Sequence, residues 1–418
     1  MIASRWFGMV VAGAALALTA AARLSAQPAG APAPERIALV NANVVNVVTG
    51  TVQDGQTLVL SGGRIESIGA APPLSGARVI DLRNRWVVPG LIDAHVHIAS
   101  LPQMRAALQS GVTTARSAGV SSYVDVGLRE LVKRGHVAGP DLLAAGYHVR
   151  PGIAPEFFLD FPELGDLMNG GVGNADAIRR AVNANLSKGV DWIKTLATER
   201  AGTPDTDPRK QMFSAGELEV IVGEAANKGI SVMAHAHGAE GAHAAVKAGV
   251  RSIEHGTYLT DETLKLMAAM GTFFVPTADI VNDLAEPGGD YDDATLQRRG
   301  QMMLPILKAA VGRAKTLGVK IAAGSDTSYG PRSVTTLARE VVMLSEFGLT
   351  PIEALQAATT RNAELLKLEK QVGQVTAGFE ADLLIVAGSP LQDPRVLLDP
   401  LLVVSNGRVA LDRMTFGK

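Results

Sequence analysis

The stretch GLIDAHVHIAS, residues 90–100, places two histidines one residue apart at the end of an apolar run. Because a β-strand points alternate side chains to the same face, His95 and His97 are expected to lie side by side where a buried strand ends. Two neighbouring imidazoles at such a position are typical of a metal site, although an HxH pair by itself also arises by chance.

Residues 89–366 alternate short apolar runs with Ala- and Leu-rich segments of helical character. The eight runs are GLIDAHVHI, GVTTARSAG, DLLAAGYHV, GVDWIKTLA, GISVMAHAH, GVRSIEHG, GTFFVPTAD and GVKIAAGSD. Several segments between them, such as NADAIRRAVNANLSKG, end in Lys-Gly or Ala-Gly, a common helix stop. Eight successive strand-helix units predict an α/β fold of the (β/α)8 TIM-barrel type. The alternative, an open doubly wound sheet, is less favoured because no GxGxxG follows the first run.

The two ends of the chain have a different character. Residues 36–88 and 367–418 contain short β-type runs separated by turns, among them SGGR at 61–64 and the pair Asn406-Gly407. Both turns are typical of β-hairpins. The pattern predicts one small β-sandwich domain with a first part at 36–88 and a second part at 367–418, flanking the barrel at 89–366.

The N-terminal segment predicts export. Residues 1–26 carry Arg5, an apolar core at about 7–22 and small residues before Gln27, which together are typical of a secretory signal peptide cleaved after Ala26. A membrane anchor is the alternative, but the apolar core is short of the roughly 20 residues that a span needs. The segment QPAGAPAPE, residues 27–35, predicts a linker. The expected destination is secreted or periplasmic.

Composition excludes several function classes. The chain has 418 residues, enough for a barrel and a smaller unit, with 19% charged residues and a net charge of −2. The charge and the lack of basic runs argue against nucleic-acid binding. Because cysteine is absent, disulfides, thiolate metal ligands and a cysteine nucleophile are all excluded.

Metal-binding residue types collect at the ends of the predicted strands. They are His95 and His97 after the first run, Lys194 in the fourth, His235 and His237 after the fifth, His255 after the sixth and Asp326 after the eighth. Barrel enzymes carry their active groups at this C-terminal rim, and imidazole with carboxylate suits zinc or a similar divalent ion. The sequence therefore predicts a metal centre there.

Lys194 does not fit this set as an ordinary lysine, because a protonated amine has no lone pair for a metal. If burial kept the amine neutral, it could add CO₂ and become a carbamate able to bridge two ions. The alternative is a strand lysine whose ammonium group extends to solvent.

The motifs GLIDAHVHI, GVTTARSAG, DWIKTLAT, MAHAHG, SIEHGT and AGSDT, followed by PIEALQAATTRNAELL and GQVTAGFEADLLIV, resemble the metal-dependent amidohydrolase superfamily. The similarity is to the imidazolonepropionase-like branch, which includes Xaa-Pro dipeptidases and an ochratoxin-hydrolysing carboxypeptidase. It extends over nearly the whole chain after the linker and implies two divalent ions, commonly zinc. The resemblance implies that His95, His97 and Asp326 hold one ion, that His235 and His255 hold the other, and that carboxylated Lys194 and a reactive hydroxide bridge them.

Such a site implies amide hydrolysis by attack of the shared hydroxide, because bound cations lower the pKa of water toward about 7. Asp326 is then expected to take up the hydroxide's proton and pass it to the leaving nitrogen. His237 is expected to hydrogen-bond the developing oxyanion or a substrate carboxylate.

Substrate contacts are expected from the rim loops. The predicted residues are His148 and Tyr147 after the third strand, and Arg150 and Arg332, which could bind a terminal carboxylate. Phe157, Phe158 and Phe161 form either an apolar substrate wall or ordinary loop packing.

These observations favour a secreted binuclear metal-dependent hydrolase of amide C–N bonds in N-acyl amino acids or dipeptide-like compounds. The alternatives are a cyclic amide hydrolase for an imidazolone, lactam or hydantoin, and a secreted metal-binding protein without activity. A deaminase is less favoured because those sites usually hold one ion and lack a lysine such as Lys194. The expected partner is a small-molecule amide, with no nucleic acid and no membrane after signal cleavage, and assembly into a homo-oligomer is left open.

Overall fold

The computed structural model describes residues 35–70 and 72–414. The strands of these residues are β1 Ile37–Asn46, β2 Thr51–Ser61, β3 Arg64–Gly69, β4 Arg78–Pro89, β5 Leu91–Val96, β6 Val112–Ser117, β7 Asp141–Leu143, β8 Trp192–Leu196, β9 Ser231–Ala236, β10 Ser252–His255, β11 Phe273–Val275, β12 Leu383–Val386, β13 Leu402–Ser405 and β14 Arg408–Asp412. The helices are α1 Leu101–Gln109, α2 Val124–Lys133, α3 Phe157–Asp160, α4 Asp166–Gly170, α5 Ala175–Ser187, α6 Ala215–Ala226, α7 Ala239–Ala248, α8 Asp261–Met270, α9 Ala278–Ala285, α10 Ala294–Thr316, α11 Leu337–Glu346, α12 Pro351–Ala357 and α13 Thr360–Leu366.

Both ends of the chain contribute to one seven-stranded sheet, in the order β14-β13-β12-β4-β1-β2-β3. The two predicted hairpins are confirmed. Gly62 and Gly63 have φ of 57° and 82°, and Asn406 and Gly407 have φ of 50° and 72°. Two central residues with positive φ are what a two-residue type I′ turn requires. The shared sheet agrees with the expected pairing of the termini, whereas the sandwich arrangement stays a prediction.

The middle of the chain forms parallel strands separated by helices, which confirms the α/β class. The strands form one sheet in the order β5-β6-β7 and another in the order β11-β10-β9-β8. Single parallel pairings lie beyond these sheets, between Val149 and Thr195, between Phe274 and Ile321, and between Val96 and Thr327. The eighth predicted run therefore contributes isolated pairings instead of a strand, and closure into an eight-stranded barrel stays a prediction.

The helices start and end where local chemistry favours it. Ser214 accepts a hydrogen bond from the backbone N–H of Glu217, whose side chain accepts in turn from the backbone of Ser214, so that α6 begins with a capping box. The helix α7 ends at Gly249, whose φ of 93° is readily adopted by glycine. These helix ends fix the connections into the strands that follow. The C-terminal ends of those strands carry the candidate site.

Three phenylalanines after β7 pack within their own loop. Phe157, Phe158 and Phe161 are buried, and the ring centroids of Phe157 and Phe161 lie 5.0 Å apart. None of the three lines the cavity described below. Of the two alternatives left open by the sequence, loop packing is the one the structure supports.

The predicted signal peptide at residues 1–26 lies outside the described residues, as does the linker at 27–35 except for Glu35. Within the part of the chain that the structure describes, no helix combines the length and the apolar character needed to cross a bilayer.

Candidate active site

One cavity brings together the seven residues at which the sequence predicts the metal centre. Its empty volume is about 540 Å³, counting the solvent at its mouth. The residues that line it are His95, His97, His148, Lys194, Leu196, Arg200, Ala201, Gly202, His235, His237, His255, Ile280, Val281, Leu284, Tyr291 and Asp326.

The first group of candidate ligands joins β5 to the segment of the eighth run. Potential ligand atoms of His95, His97 and Asp326 all lie within 4.8 Å of one another. Nε2 of His95 lies 3.2 Å from Oδ1 of Asp326, and Nε2 of His97 lies 3.1 Å from the same oxygen. Asp326 has a φ of 52°, a left-handed conformation that costs energy outside glycine and often marks a functional position. The structure thus brings together the three residues expected to share one ion.

The second group consists of His235, His237 and His255, whose potential ligand atoms also lie within 4.8 Å of one another. The ring centroids of His235 and His255 are 4.4 Å apart, and those of His237 and His255 are 4.7 Å apart. The sequence predicts a substrate contact for His237, yet its imidazole lies as close to this group as the two expected ligands. His237 is therefore an additional candidate ligand.

Burial keeps the second group neutral. It lowers the pKa of His235 and of His255 well below 6.5, helped by the neighbouring imidazoles, and it lowers the pKa of His237 to about 3. A neutral imidazole keeps the lone pair that a metal needs. The Nε2 of His235 donates to the carbonyl of Glu199 at 3.2 Å, which leaves Nδ1 of this ring as the free nitrogen.

Lys194 is buried at the floor of the cavity. Its side chain is 2% exposed, and Nζ lies 3.4 Å from Nε2 of His95. Burial lowers the pKa of Lys194 to about 8, although the carboxylates of Glu254 and Asp326 act in the opposite direction. About a tenth of this amine is therefore neutral at pH 7, and the ammonium group does not extend to solvent.

A buried ion pair behind His95 was not predicted from the sequence. Oε2 of Glu254 accepts a hydrogen bond from Nδ1 of His95 at 2.7 Å, and Oε1 accepts one from Arg116 at 3.0 Å. Burial opposes ionisation of Glu254, but the charge of Arg116 and the contact with His95 outweigh it and lower the pKa to about 2. The ionised carboxylate fixes the ring so that Nε2 faces Asp326. Its position before His255 in SIEHG was the only sequence signal.

Asp93 ties the two ligand-bearing segments together. Its Oδ1 accepts hydrogen bonds from the backbone N–H of His95 at 3.1 Å and of Ser325 at 3.0 Å. Its Oδ2 accepts from the hydroxyl of Tyr329 at 2.8 Å. Asp93 therefore fixes His95 and Asp326 relative to each other. In the sequence, the only indication of this role was its position two residues before His95.

Gly119 supports two histidines at once. Its carbonyl accepts a hydrogen bond from Nδ1 of His97 at 2.8 Å. Its φ is 103°, and a Cβ at this position would clash with Cδ2 of His148. His148 reaches the cavity as expected, with its ring centroid 6.1 Å from that of His97.

Three of the expected substrate contacts do not reach the cavity. Tyr147 precedes His148 by one residue and points away, so that its hydroxyl donates to Asp160 at 2.8 Å and its ring packs on Phe157. Arg150 is half-buried and Arg332 is exposed, and neither lines the cavity. Arg200 and Tyr291, in loops that carried no recognisable motif, line the cavity instead.

Comparison with known proteins identifies the family of this chain. A model of the amidohydrolase family matches residues 86–410. Ochratoxinase from Aspergillus niger is 30% identical over 356 residues, covering 76% of this chain and 73% of the relative. A crystal structure of a Xaa-Pro dipeptidase with bound methionine in the active site matches with a TM-score of 0.80 and 29% identity, covering 90% of this chain and 99% of that one.

Imidazolonepropionase from Psychromonas ingrahamii is 24% identical over 388 residues, covering 82% of this chain and 91% of the relative. The resemblance inferred from the motifs is thereby confirmed for the family and for its branch. The chain belongs to the amidohydrolase family and is a hydrolase of carbon–nitrogen bonds.

Proposed function

We propose that this protein is a secreted, binuclear metal-dependent hydrolase of the amide bond in small N-acyl amino acids or dipeptide-like compounds. The observation that carries the proposal is the meeting of two groups of candidate ligands and a buried lysine in one cavity. We also propose that the parallel strands close into a (β/α)8 barrel. The pairings of Val149 with Thr195, Phe274 with Ile321 and Val96 with Thr327 support closure because they continue the strand order beyond both sheets.

The donor set fits two divalent ions, with zinc as the expected metal. His95, His97 and Asp326 would hold one ion, and His235 and His255 would hold the other, because neutral imidazoles and a carboxylate are ligands that zinc prefers. Lys194 would bridge the two as a carbamate formed with CO₂. The bound ions would lower the pKa of a water molecule toward about 7 and polarise the scissile carbonyl.

Asp326 is proposed to move the proton. The charge of His95 and the hydrogen bonds from His95 and His97 outweigh burial and hold the pKa of Asp326 well below 3.8. The carboxylate is therefore ionised at neutral pH and able to accept a proton, which it would return to the leaving nitrogen.

His237 is proposed to contact the substrate. Its Nδ1 lies 2.9 Å from the hydroxyl of Thr257. If that hydroxyl donates, Nδ1 accepts and Nε2–H is left as a donor toward the cavity. A neutral imidazole in this state can hydrogen-bond the carbonyl oxygen as negative charge develops on it.

The test is a screen of the mature chain from Gln27 onward against N-acyl amino acids, dipeptides and cyclic amides, with bound metals counted. We expect hydrolysis of acyclic amides, its loss on treatment with a chelator and its return with Zn²⁺. Cyclic amides belong in the panel because one relative is an imidazolonepropionase. Preferential opening of a cyclic amide would replace the proposed substrate class. Metal binding without hydrolysis of any compound would contradict the proposed function.

Export is proposed from the sequence of residues 1–26, with Arg5, the apolar core and the small residues before Gln27 as support. N-terminal sequencing of protein expressed from the full chain in a bacterial host tests it. A periplasmic or secreted product that begins at Gln27 is expected, and an unprocessed cytoplasmic product would contradict it.

A further inference from the structure

Arg200 is a positively charged side chain at the cavity. It follows β8 by four residues and lines the cavity together with Lys194 and His148. The residue is exposed, and within residues 35–70 and 72–414 its guanidinium makes no hydrogen bond and no ion pair. A guanidinium presents several N–H donors in a planar fork that matches a carboxylate.

Two acidic residues of the same loop, Glu199 and Asp207, are already paired with other cations. Glu199 accepts a hydrogen bond from Lys210 at 2.7 Å and one from the backbone N–H of Asp207 at 2.9 Å. Asp207 in turn accepts a hydrogen bond from Arg209 at 3.1 Å. Among the described residues, no carboxylate lies within ion-pair distance of Arg200, and this includes Asp205 of the same loop.

The loop that carries Arg200 is held in place before any ligand binds. The side chain of Arg299 donates to four backbone carbonyls of this loop, those of Ala201 at 2.6 Å, Thr203 at 2.7 Å, Pro204 at 3.0 Å and Thr206 at 2.6 Å. An anchored loop loses less conformational entropy when it binds a ligand.

Apolar side chains complete the same cavity. Ile280, Val281 and Leu284 of α9 line it together with Tyr291. The ring of Tyr291 lies over Gly202, where an added Cβ would stand 2.6 Å from its Cε1. The cavity thus offers a cation and an apolar surface next to the candidate ligands.

We propose that Arg200 selects substrates that carry a free carboxylate next to the scissile amide and an apolar group that packs on α9. This inference rests on the proposed function and deepens it to one substrate class, N-acylated apolar α-amino acids. Arg200 acts on specificity, whereas bond cleavage depends on the ligand groups and Asp326.

The test compares N-benzoyl-L-leucine with N-(3-methylbutyl)benzamide, which is the same amide without the carboxylate. In the zinc-loaded protein, Arg200→Met is expected to lower kcat/KM for the acid about 10- to 100-fold, the range for a lost hydrogen bond to a charged group. Hydrolysis of the neutral amide is expected to change less than about 3-fold, within the usual effect of a surface substitution. Arg200→Lys should retain part of the preference, because it keeps the charge and loses the planar fork.

Arg209→Met is the matched control, because Arg209 belongs to the same loop, is exposed and is already paired with Asp207. It should leave the ratio of the two substrates unchanged. An equal loss on both substrates in Arg200→Met, or an unchanged ratio, would overturn the inference.

A binding measurement separates this inference from the proposed function. The affinity of metal-stripped protein for N-benzoyl-L-leucine is measured by calorimetry, and Arg200→Met is expected to raise the Kd about 10- to 100-fold. If the normal protein cleaves neither compound but shows this Arg200-dependent binding, the proposed function fails and the inference stands. If N-benzoyl-L-leucine does not bind, or binds with the same Kd in Arg200→Met, the inference is contradicted, whether or not the protein hydrolyses amides.

Discussion

The carboxylate of Glu254 accepts a hydrogen bond from Nδ1 of His95 at 2.7 Å, between residues 159 positions apart in the chain. This contact orients the imidazole so that Nε2 points toward Asp326. A carboxylate behind a metal-binding histidine fixes the ring and increases its basicity. Because Arg116 holds the other oxygen of Glu254, the orientation of His95 depends on an ion pair that is buried completely.

Glu254→Gln keeps the shape of this side chain and removes its charge. We expect zinc affinity to fall about 10- to 100-fold, the usual effect of losing such a supporting group. The protein should also lose about 3 kcal/mol of stability, because Arg116 is left without a counter-charge in the interior. Competition with a zinc chelator and urea unfolding measure the two effects. Glu346→Gln, at an exposed pair with Arg395, is the control and should change neither; normal zinc affinity in Glu254→Gln would contradict the positioning role.

Asp326→Asn tests the proposed proton transfer. The amide cannot accept the proton, so we expect kcat to fall by about 10³-fold, within the range for loss of general acid–base catalysis. Metal content is measured on the same sample, since Asp326 is also a candidate ligand. Hydrolysis near the normal rate with normal metal content would remove the assignment.

Gly119→Ala should disturb the site without replacing a candidate ligand. The added Cβ would meet the ring of His148, and the φ of 103° is strained for alanine. We expect lower kcat/KM and a loss of about 1–3 kcal/mol of stability. Gly127→Ala is the control, because it lies in α2 with open space around its Cα and should be neutral or stabilising. Equal behaviour of the two variants would contradict this account of Gly119.

Asp382 is expected to make the protein less stable as the pH rises. Burial, and then the carboxylates of Asp141 and Glu380, raise the pKa of Asp382 from 3.8 to about 8 in the folded chain. Between these values the unfolded chain has released the proton and the folded chain still holds it, so ionisation favours unfolding. Asp382→Asn removes this dependence, and its stability relative to the normal protein should improve on the order of 4 kcal/mol from about pH 5 to about pH 8. Urea unfolding at both pH values measures it; exposed Asp54→Asn should show no such trend, and a parallel decline in Asp382→Asn would refute the assignment.

Local patterns predicted the parts of this fold that depend on short-range geometry. Strand alternation placed His95 and His97 on one face, and Asn406-Gly407 forms the expected hairpin turn. The eighth run failed as a strand because its segment pairs only at Ile321 and Thr327. Apolar content identifies a buried segment, but regular pairing depends on how its neighbours twist, which the segment alone does not determine.

The candidate ligands were predictable because each lies in or just after one of the apolar runs, which alternate with helices and end at one rim. Glu254 and Arg200 were not, for two different reasons. Glu254 acts through a contact between β5 and β10, and nothing near it in sequence indicates that partner. Arg200 lies in an irregular loop whose position depends on four hydrogen bonds from Arg299. The sequence also predicted substrate contacts for Tyr147, Arg150 and Arg332. In the structure, the paths of their loops keep these side chains away from the cavity.

Anomalous X-ray scattering at the zinc edge, from crystals of the mature chain grown with Zn²⁺ and bicarbonate, tests the central claim most directly. Two anomalous peaks are predicted, one among His95, His97 and Asp326 and one at His235 and His255, with carboxylate density joined to Nζ of Lys194. A single peak, or two peaks with an unmodified Lys194 that contacts neither ion, would contradict the binuclear site.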